Sequence, residues 1–166
     1  MFAEPFTRFL YQFEPAKYSW ILPTQRMGKT IIFTADDLGL DEPTNLAIER
    51  AHREGVLNAA SLMLGQPGGA HGLEIIRRNP DLQIGWHFHA CDSQPITVRE
   101  WPRGKSPARA GLAVASSPSA RALIRRELAA QWNTLTATGV KCNFINGHHH
   151  LHIHPFIARE MHRLVA

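Results

Sequence analysis

The stretch that decides the fold is residues 29–55, KTIIFTADDLGLDEPTNLAIERAHREG. Its first part, Lys29–Ala35, is a short and largely apolar run, as in a strand buried in a parallel sheet. The next four residues, DDLG at 36–39, predict a loop. Pro43–Glu54 then has the apolar spacing of a helix, which Gly55 ends. The stretch is therefore predicted to form one complete βα unit.

The same alternation continues along the rest of the sequence. Further strands are predicted at Ala59–Leu64, Leu82–His87 and Cys142–Asn146, and further helices at Ala70–Arg78, Pro118–Thr138 and Pro155–Val165. Ala90–Ser117 carries several prolines and little periodicity, so a long loop is predicted there, and loops of that length often have a function. Strands that alternate with helices indicate βαβ units and a parallel sheet in an α/β fold.

Bulk composition argues against several classes of protein. A chain of 166 residues fits one domain with a sizeable core. The net charge is only +4 and the basic residues are scattered, which argues against nucleic-acid binding. No run approaches the roughly 20 apolar residues of a membrane span, and the start lacks a secretory signal. Residues 1–28 are interpreted as an extension before a domain at 29–166, in a cytoplasmic protein with Cys91 and Cys142 reduced.

Polar residues stand at the ends of three predicted strands. Asp36 and Asp37 follow the first, His87 ends the third, and GHHHLHIHP at 147–155 follows the fourth. Because sites in parallel α/β folds lie at the carboxyl ends of the strands, these groups are expected to meet at one edge of the sheet. The histidine-rich segment is internal and patterned, which distinguishes it from a purification tag.

These residue types favour a metal centre. Two or three histidines with one carboxylate suit Zn²⁺, and also Co²⁺, Ni²⁺ or Mn²⁺. Of two neighbouring carboxylates, one can bind the cation while the other accepts a proton. In extended backbone His148, His150 and His152 would share one face. His87 and His89 would share a side of a continued strand, and only one of them need be a ligand.

The ordered segments resemble the YdjC-like carbohydrate deacetylases. They are TADDLG at 34–39, AASLM at 59–63, GWH at 85–87 and NGHHHLH at 146–152. The resemblance implies an irregular (β/α) barrel, of which about four βα units are present, and removal of N-acetyl groups from a sugar or oligosaccharide by a divalent metal ion, with Zn²⁺ and Mg²⁺ both open. The roles that it implies are metal ligation by Asp37, His87 and His148, general-base catalysis by Asp36, and proton donation by His150 or His152.

Some features depart from the family pattern, and other functions stay open. The family usually has an acidic residue where this chain has Asn146, and its members are longer. The chain is accordingly expected to be a fragment, a truncated gene product or a half-barrel completed by self-association into a homo-oligomer. The alternatives to a deacetylase are a metal-dependent phosphoesterase, for which Arg99, Arg103 and Lys105 offer cationic groups, and an inactive metal-binding fragment.

Overall fold

A parallel sheet of four strands forms the centre of the structure, a computed structural model that describes residues 31–102 and 106–166. The strands are β1 (Thr34–Leu38), β2 (Ala59–Leu62), β3 (Gln83–Phe88) and β4 (Cys142–Gly147). They lie side by side in chain order. The helices of the described residues are α1 (Glu42–Glu54), α2 (Gly69–Arg78), α3 (Pro107–Ser116), α4 (Pro118–Ala137) and α5 (Pro155–Val165), and a 3₁₀ segment, His148–Ile153, joins β4 to α5.

The predicted α/β fold is confirmed. Each strand is followed by helix, and parallel strands in steadily increasing order are what one arc of a (β/α) barrel contains. Within the part of the chain that is described, no helix is long and apolar enough to cross a membrane. The predicted extension at residues 1–28 lies outside the described residues, as do Arg103 and Lys105.

The predicted position of the first strand is wrong. It begins at Thr34 and not at Lys29, because pairing with β2 starts where Thr34 lies opposite Ala59. The apolar run that suggested a buried strand is exposed: Ile31 by 69%, Ile32 by 56% and Phe33 by 44%. Consequently Asp36 and Asp37 lie within β1 and not in a loop after it.

The predicted loop Ala90–Ser117 is also partly wrong, because it contains the helix α3. Ser106 caps this helix, its hydroxyl accepting a hydrogen bond from the Arg109 N–H at 3.3 Å, and Pro107 occupies the first turn. The helix buries mainly alanine, at Ala110 and Ala113. Such small side chains give little apolar contrast along the sequence, which is why periodicity alone predicted no helix.

The rest of that loop is tied to α4 by a buried carboxylate. Glu127 has no exposed surface. Its two oxygens accept hydrogen bonds from the backbone N–H groups of Ile96, at 2.7 Å, and Thr97, at 2.9 Å, and from the Thr97 hydroxyl at 2.6 Å. Gln131 donates to the same carboxylate at 3.0 Å. A buried carboxylate with this many donors satisfies its own polar requirement and holds the loop against the helix.

The turn after β1 requires glycine. Gly39 has a φ of +96°, and a Cβ atom there would overlap the carbonyl oxygen of Met63. Its N–H donates to Asn45 Oδ1 at 2.6 Å, and Asn45 is fully buried. This turn therefore fixes the chain immediately after Asp37.

Replacing Gly39 with alanine is expected to lower the free energy of unfolding by about 3 kcal/mol, the sum of a left-handed backbone penalty and a steric overlap. Gly139→Ala is the matched control, because Gly139 has a φ of +72° but nothing within 4 Å of the place that a methyl group would take. It should cost only the backbone penalty of about 1 kcal/mol. Urea unfolding of both variants measures the difference. Equal losses would show that the Met63 contact does not constrain the turn.

Candidate metal centre

The carboxylates of β1 owe their position to a β-bulge. Between its paired positions Ala35 and Leu38, β1 has one residue more than β2. Asp37, inside the bulge, has a φ of +66°, in the left-handed region. Consecutive side chains of a regular strand point to opposite faces, whereas a bulge changes the direction of one of them. Asp36 consequently contacts side chains of β2 and β4, while Asp37 contacts a side chain of β3 and one that directly follows β4.

Asp37 contacts the two histidines with which it was predicted to converge. His87 Nε2, at the end of β3, lies 3.0 Å from Asp37 Oδ1. His148 Nδ1, directly after β4, lies 2.8 Å from the same oxygen. One ligand atom from each of the three residues can be chosen so that all lie within 4.8 Å of one another. The His87 side chain is only 1% exposed and is shielded from solvent, whereas that of Asp37 is 29% exposed and is accessible to it.

Hydrogen bonds fix the tautomer of His87. A carboxylate can only accept, so Asn146 uses its amide nitrogen to donate to Asp36 Oδ1 at 2.8 Å. The amide oxygen of Asn146 then faces His87 Nδ1 at 2.6 Å, and Ser61 Oγ lies 3.0 Å from the same nitrogen. His87 Nδ1 must therefore carry the proton, which leaves a lone pair on Nε2. Orientation of one ring nitrogen by a hydrogen bond to the other is usual for metal-binding histidines.

The donor atoms fit a divalent cation. His87 Nε2 is buried and has no hydrogen-bond partner among the described residues, although Asp37 Oδ1 is only 3.0 Å away. A nitrogen lone pair and a carboxylate oxygen at that distance repel each other unless a cation lies near both. One carboxylate oxygen and two imidazole nitrogens are donors that Zn²⁺ and similar ions accept.

Charge in the group already favours binding of a cation. The hydrogen bond with His148 holds the pKa of Asp37 well below its ordinary value. The same hydrogen bond to Asp37 raises the pKa of His148. A metal ion must displace the proton of His148, so affinity should rise with pH while Asp37 stays ionised throughout the neutral range.

Asp36 lies beside the group without belonging to it. Its Oδ1 accepts hydrogen bonds from Ser61 Oγ and from Asn146 Nδ2, each at 2.8 Å. Its Oδ2 has no hydrogen bond within the described residues, and the side chain is 47% exposed. One oxygen is therefore fixed while the other is available to a molecule from solution.

His150 and His152 occupy different positions from those predicted. The extended alternation is wrong, because His149 and His150 have φ values of +51° and +57° inside a tight 3₁₀ segment. The rings of His150 and His152 lie 6.1 Å apart, edge to face. Neither histidine has a hydrogen bond or ion pair with Asp37 within the described part of the chain. His152 instead borders an apolar groove beside Met161.

His89 is not part of the group formed by Asp37, His87 and His148, although it follows His87 by two residues. It is fully buried, and its Nε2 donates to the Leu64 carbonyl at 3.0 Å while Nδ1 lies 3.0 Å from Ser93 Oγ. Burial lowers the pKa of His89 to about 4. It is therefore a neutral core histidine that holds the start of the loop after β3.

The lowered pKa of His89 should make stability depend on pH. The folded state keeps this ring neutral, whereas the unfolded chain protonates it below about pH 6.5. Its contribution is fully present above that pH, falls by about 3 kcal/mol as the pH drops toward 4, and is then constant. Urea unfolding at pH values across this range is expected to show a smaller loss for His89→Gln than for the native chain. The exposed His162→Gln should behave like the native chain; identical slopes for all three would contradict the assignment.

Sequence reasoning overlooked the part played by Ser61. This residue is fully buried in the apolar strand β2 and donates to Asp36. A single hydroxyl near the carboxyl end of a buried strand follows the same positional logic as His87, so the pattern could have indicated it.

Asp92 and His149 form a second group with His148, with ligand atoms again within 4.8 Å of one another. Only the fold brings these two together.

Comparison with known proteins shows the family to which the chain belongs. Residues 30–166 match the profile of the YdjC-like protein family, and the chain belongs to that family. A carbohydrate deacetylase from Brevibacillus brevis is 35% identical over 76% of this chain and 52% of its own length. A carbohydrate deacetylase from Vibrio vulnificus is 32% identical over 75% of this chain and 50% of its own length. The chain thus spans about half the length of the curated relatives that it matches.

A solved structure supports the fold independently. The crystal structure of a "putative cellobiose-phosphate cleavage protein" from Enterococcus faecalis V583 superposes with a TM-score of 0.65 at 19% identity, over 81% of this chain and 54% of that one. At this identity the likeness concerns the fold alone, and it agrees with the α/β architecture described above.

Proposed function

We propose that this chain carries the catalytic centre of a metal-dependent carbohydrate deacetylase, which hydrolyses the N-acetyl group of an amino sugar. The observation that carries the proposal is the convergence of Asp37, His87 and His148, with an available carboxylate, Asp36, beside them. The names of the curated relatives support the reaction class. Because the chain spans about half of those relatives, the activity of this chain by itself is part of the proposal.

In this proposal Asp37, His87 and His148 hold the cation. When bound there, a divalent cation supplies Lewis acidity, which favours attack of water on the acetyl carbonyl. The lone pair that the Asn146 contact leaves on His87 Nε2, and the ionised state of Asp37, are the features that prepare the group for it.

Asp36 acts as the general base. Ser61 and Asn146 hold its Oδ1, so Oδ2 is the oxygen that takes a proton from the attacking water. The two hydrogen bonds also fix the carboxylate plane, so that the side chain need not be ordered when substrate binds.

The departing sugar amine needs a proton, and His150 or His152 is proposed to donate it. The exposed His150 is better placed to reach a bound sugar than His152, whose ring borders the apolar groove. Separate alanine variants of the two residues distinguish them, because loss of the donor should lower turnover by roughly 100-fold or more.

The test is acetate release from N,N′-diacetylchitobiose by metal-stripped protein, with Zn²⁺, Co²⁺, Mg²⁺ or no ion returned. We expect release only when an ion is present. A parallel assay on a phosphate monoester addresses the phosphoesterase alternative. Folded protein that binds metal but releases no acetate would refute the proposal for this chain, and hydrolysis of the phosphate ester instead would replace it.

A further inference from the structure

A second set of metal-ligating side chains adjoins the first. Asp92, His148 and His149 have ligand atoms within 4.8 Å of one another. His149 Nε2 lies 3.4 Å from Asp92 Oδ2, and the rings of His148 and His149 are 4.2 Å apart at their centroids. The two sets therefore share His148, which contacts Asp37 on one side and the His149 ring on another.

Two residues of this second set have unfavourable backbone angles. Asp92 has a φ of +47° and His149 a φ of +51°, in the left-handed region that non-glycine residues seldom adopt. The two residues come from different segments, the loop after β3 and the turn after β4, and the Glu127 contacts described above anchor that loop. Both segments are thus fixed so that the side chains of Asp92 and His149 meet.

Ligand chemistry and access both suit a cation. One carboxylate and two imidazoles are donors of the same kind as in the first set. The side chains of His149 and Asp92 are 35% and 37% exposed, so an ion reaches them without any opening of the core. Partial exposure also allows water to complete the coordination, as expected of a weaker and exchangeable site.

We propose that Asp92, His148 and His149 form a second, weaker site for a divalent transition-metal ion, which competes with the Asp37 set for His148. Excess metal that binds His148 from this side lowers the affinity of the first set for its own ion. Activity should accordingly rise with metal concentration and then fall. The inhibition rests on the proposed function, whereas the binding itself does not.

Zn²⁺ titration calorimetry on metal-stripped protein tests the binding. Asp37→Ala disables the first set, and the remaining weak affinity should fall by about tenfold or more when His149→Ala or Asp92→Ala is added. Asp37→Ala with His162→Ala is the matched control, since His162 is an exposed histidine of α5 outside both sets, and it should bind like Asp37→Ala alone. Visible spectra of bound Co²⁺ should change with His149→Ala and not with His162→Ala.

Two results would overturn the second site: Asp37→Ala protein that binds no Zn²⁺, or equal binding by the single variant and by the double variant with His149→Ala. Acetate release provides the second readout. Excess Zn²⁺ should inhibit native protein, whereas His149→Ala should resist inhibition at the same concentration. Binding that follows the prediction without any acetate release would refute the proposed function and leave the second site standing.

Discussion

Asp37→Ala is expected to weaken Zn²⁺ binding by about 100-fold or more, because it removes a carboxylate that contacts both His87 and His148. Without it, the site loses one of its three candidate ligands and the negative charge that favours a cation near the two imidazoles. Titration calorimetry on metal-stripped protein measures the change. Acetate release by this variant should become undetectable at a metal concentration that saturates the native chain.

Asp81→Ala is the matched control for the loss of one negative charge. The Asp81 side chain is 81% exposed, and its contact with His52, at 3.4 Å, lies away from the metal group. This variant should bind Zn²⁺ as the native chain does. Unchanged affinity in Asp37→Ala would remove Asp37 from the site and with it the central assignment of the proposed function.

Asp36→Asn is expected to lower turnover by about 1000-fold while leaving the affinity for Zn²⁺ nearly unchanged. The side-chain amide oxygen can still accept hydrogen bonds from Ser61 and Asn146, so the local arrangement is preserved. The amide cannot, however, take a proton from water. Acetate release at saturating metal, together with calorimetry, separates this loss of chemistry from a loss of metal.

Asp81→Asn provides the corresponding control and should keep native turnover. Ser61→Ala offers a graded comparison, because it removes one of the two hydrogen bonds to Asp36 and keeps the carboxylate. An intermediate rate is expected for it. Native turnover in Asp36→Asn would exclude Asp36 as the base and direct attention to another proton acceptor.

The sequence was sufficient to predict the fold class and the meeting of the distant polar residues. The fold class follows from the spacing of apolar residues, because apolar runs separated by glycine define the βα units. The meeting of the polar residues follows from their position, because parallel strands bring their carboxyl ends to one edge of the sheet. That logic placed Asp37, His87 and His148 together across more than half of the chain, and the contacts of Asp37 confirm the convergence. Their roles as ligands stay predictions.

What could not be predicted depends on contacts distant in sequence or on single backbone angles. The bulge at Asp37 arises from pairing with β2, and no local pattern specifies it. The left-handed angles of His149 and His150 reverse the faces that an extended segment would present. His89 follows His87 by only two residues, but its hydrogen bond to the Leu64 carbonyl holds it in the core. The bulge, the left-handed angles and the His89 hydrogen bond each determine which side chains lie near the group formed by Asp37, His87 and His148.

The anchor formed by Glu127 has a consequence for variation in the loop that it holds. Glu127 accepts from the N–H groups of residues 96 and 97, which every amino acid except proline supplies. The side chains at these two positions can therefore change while the attachment of the loop to α4 persists. A loop of different sequence should therefore dock in the same place as long as residue 127 keeps its carboxylate and residues 96 and 97 are not proline.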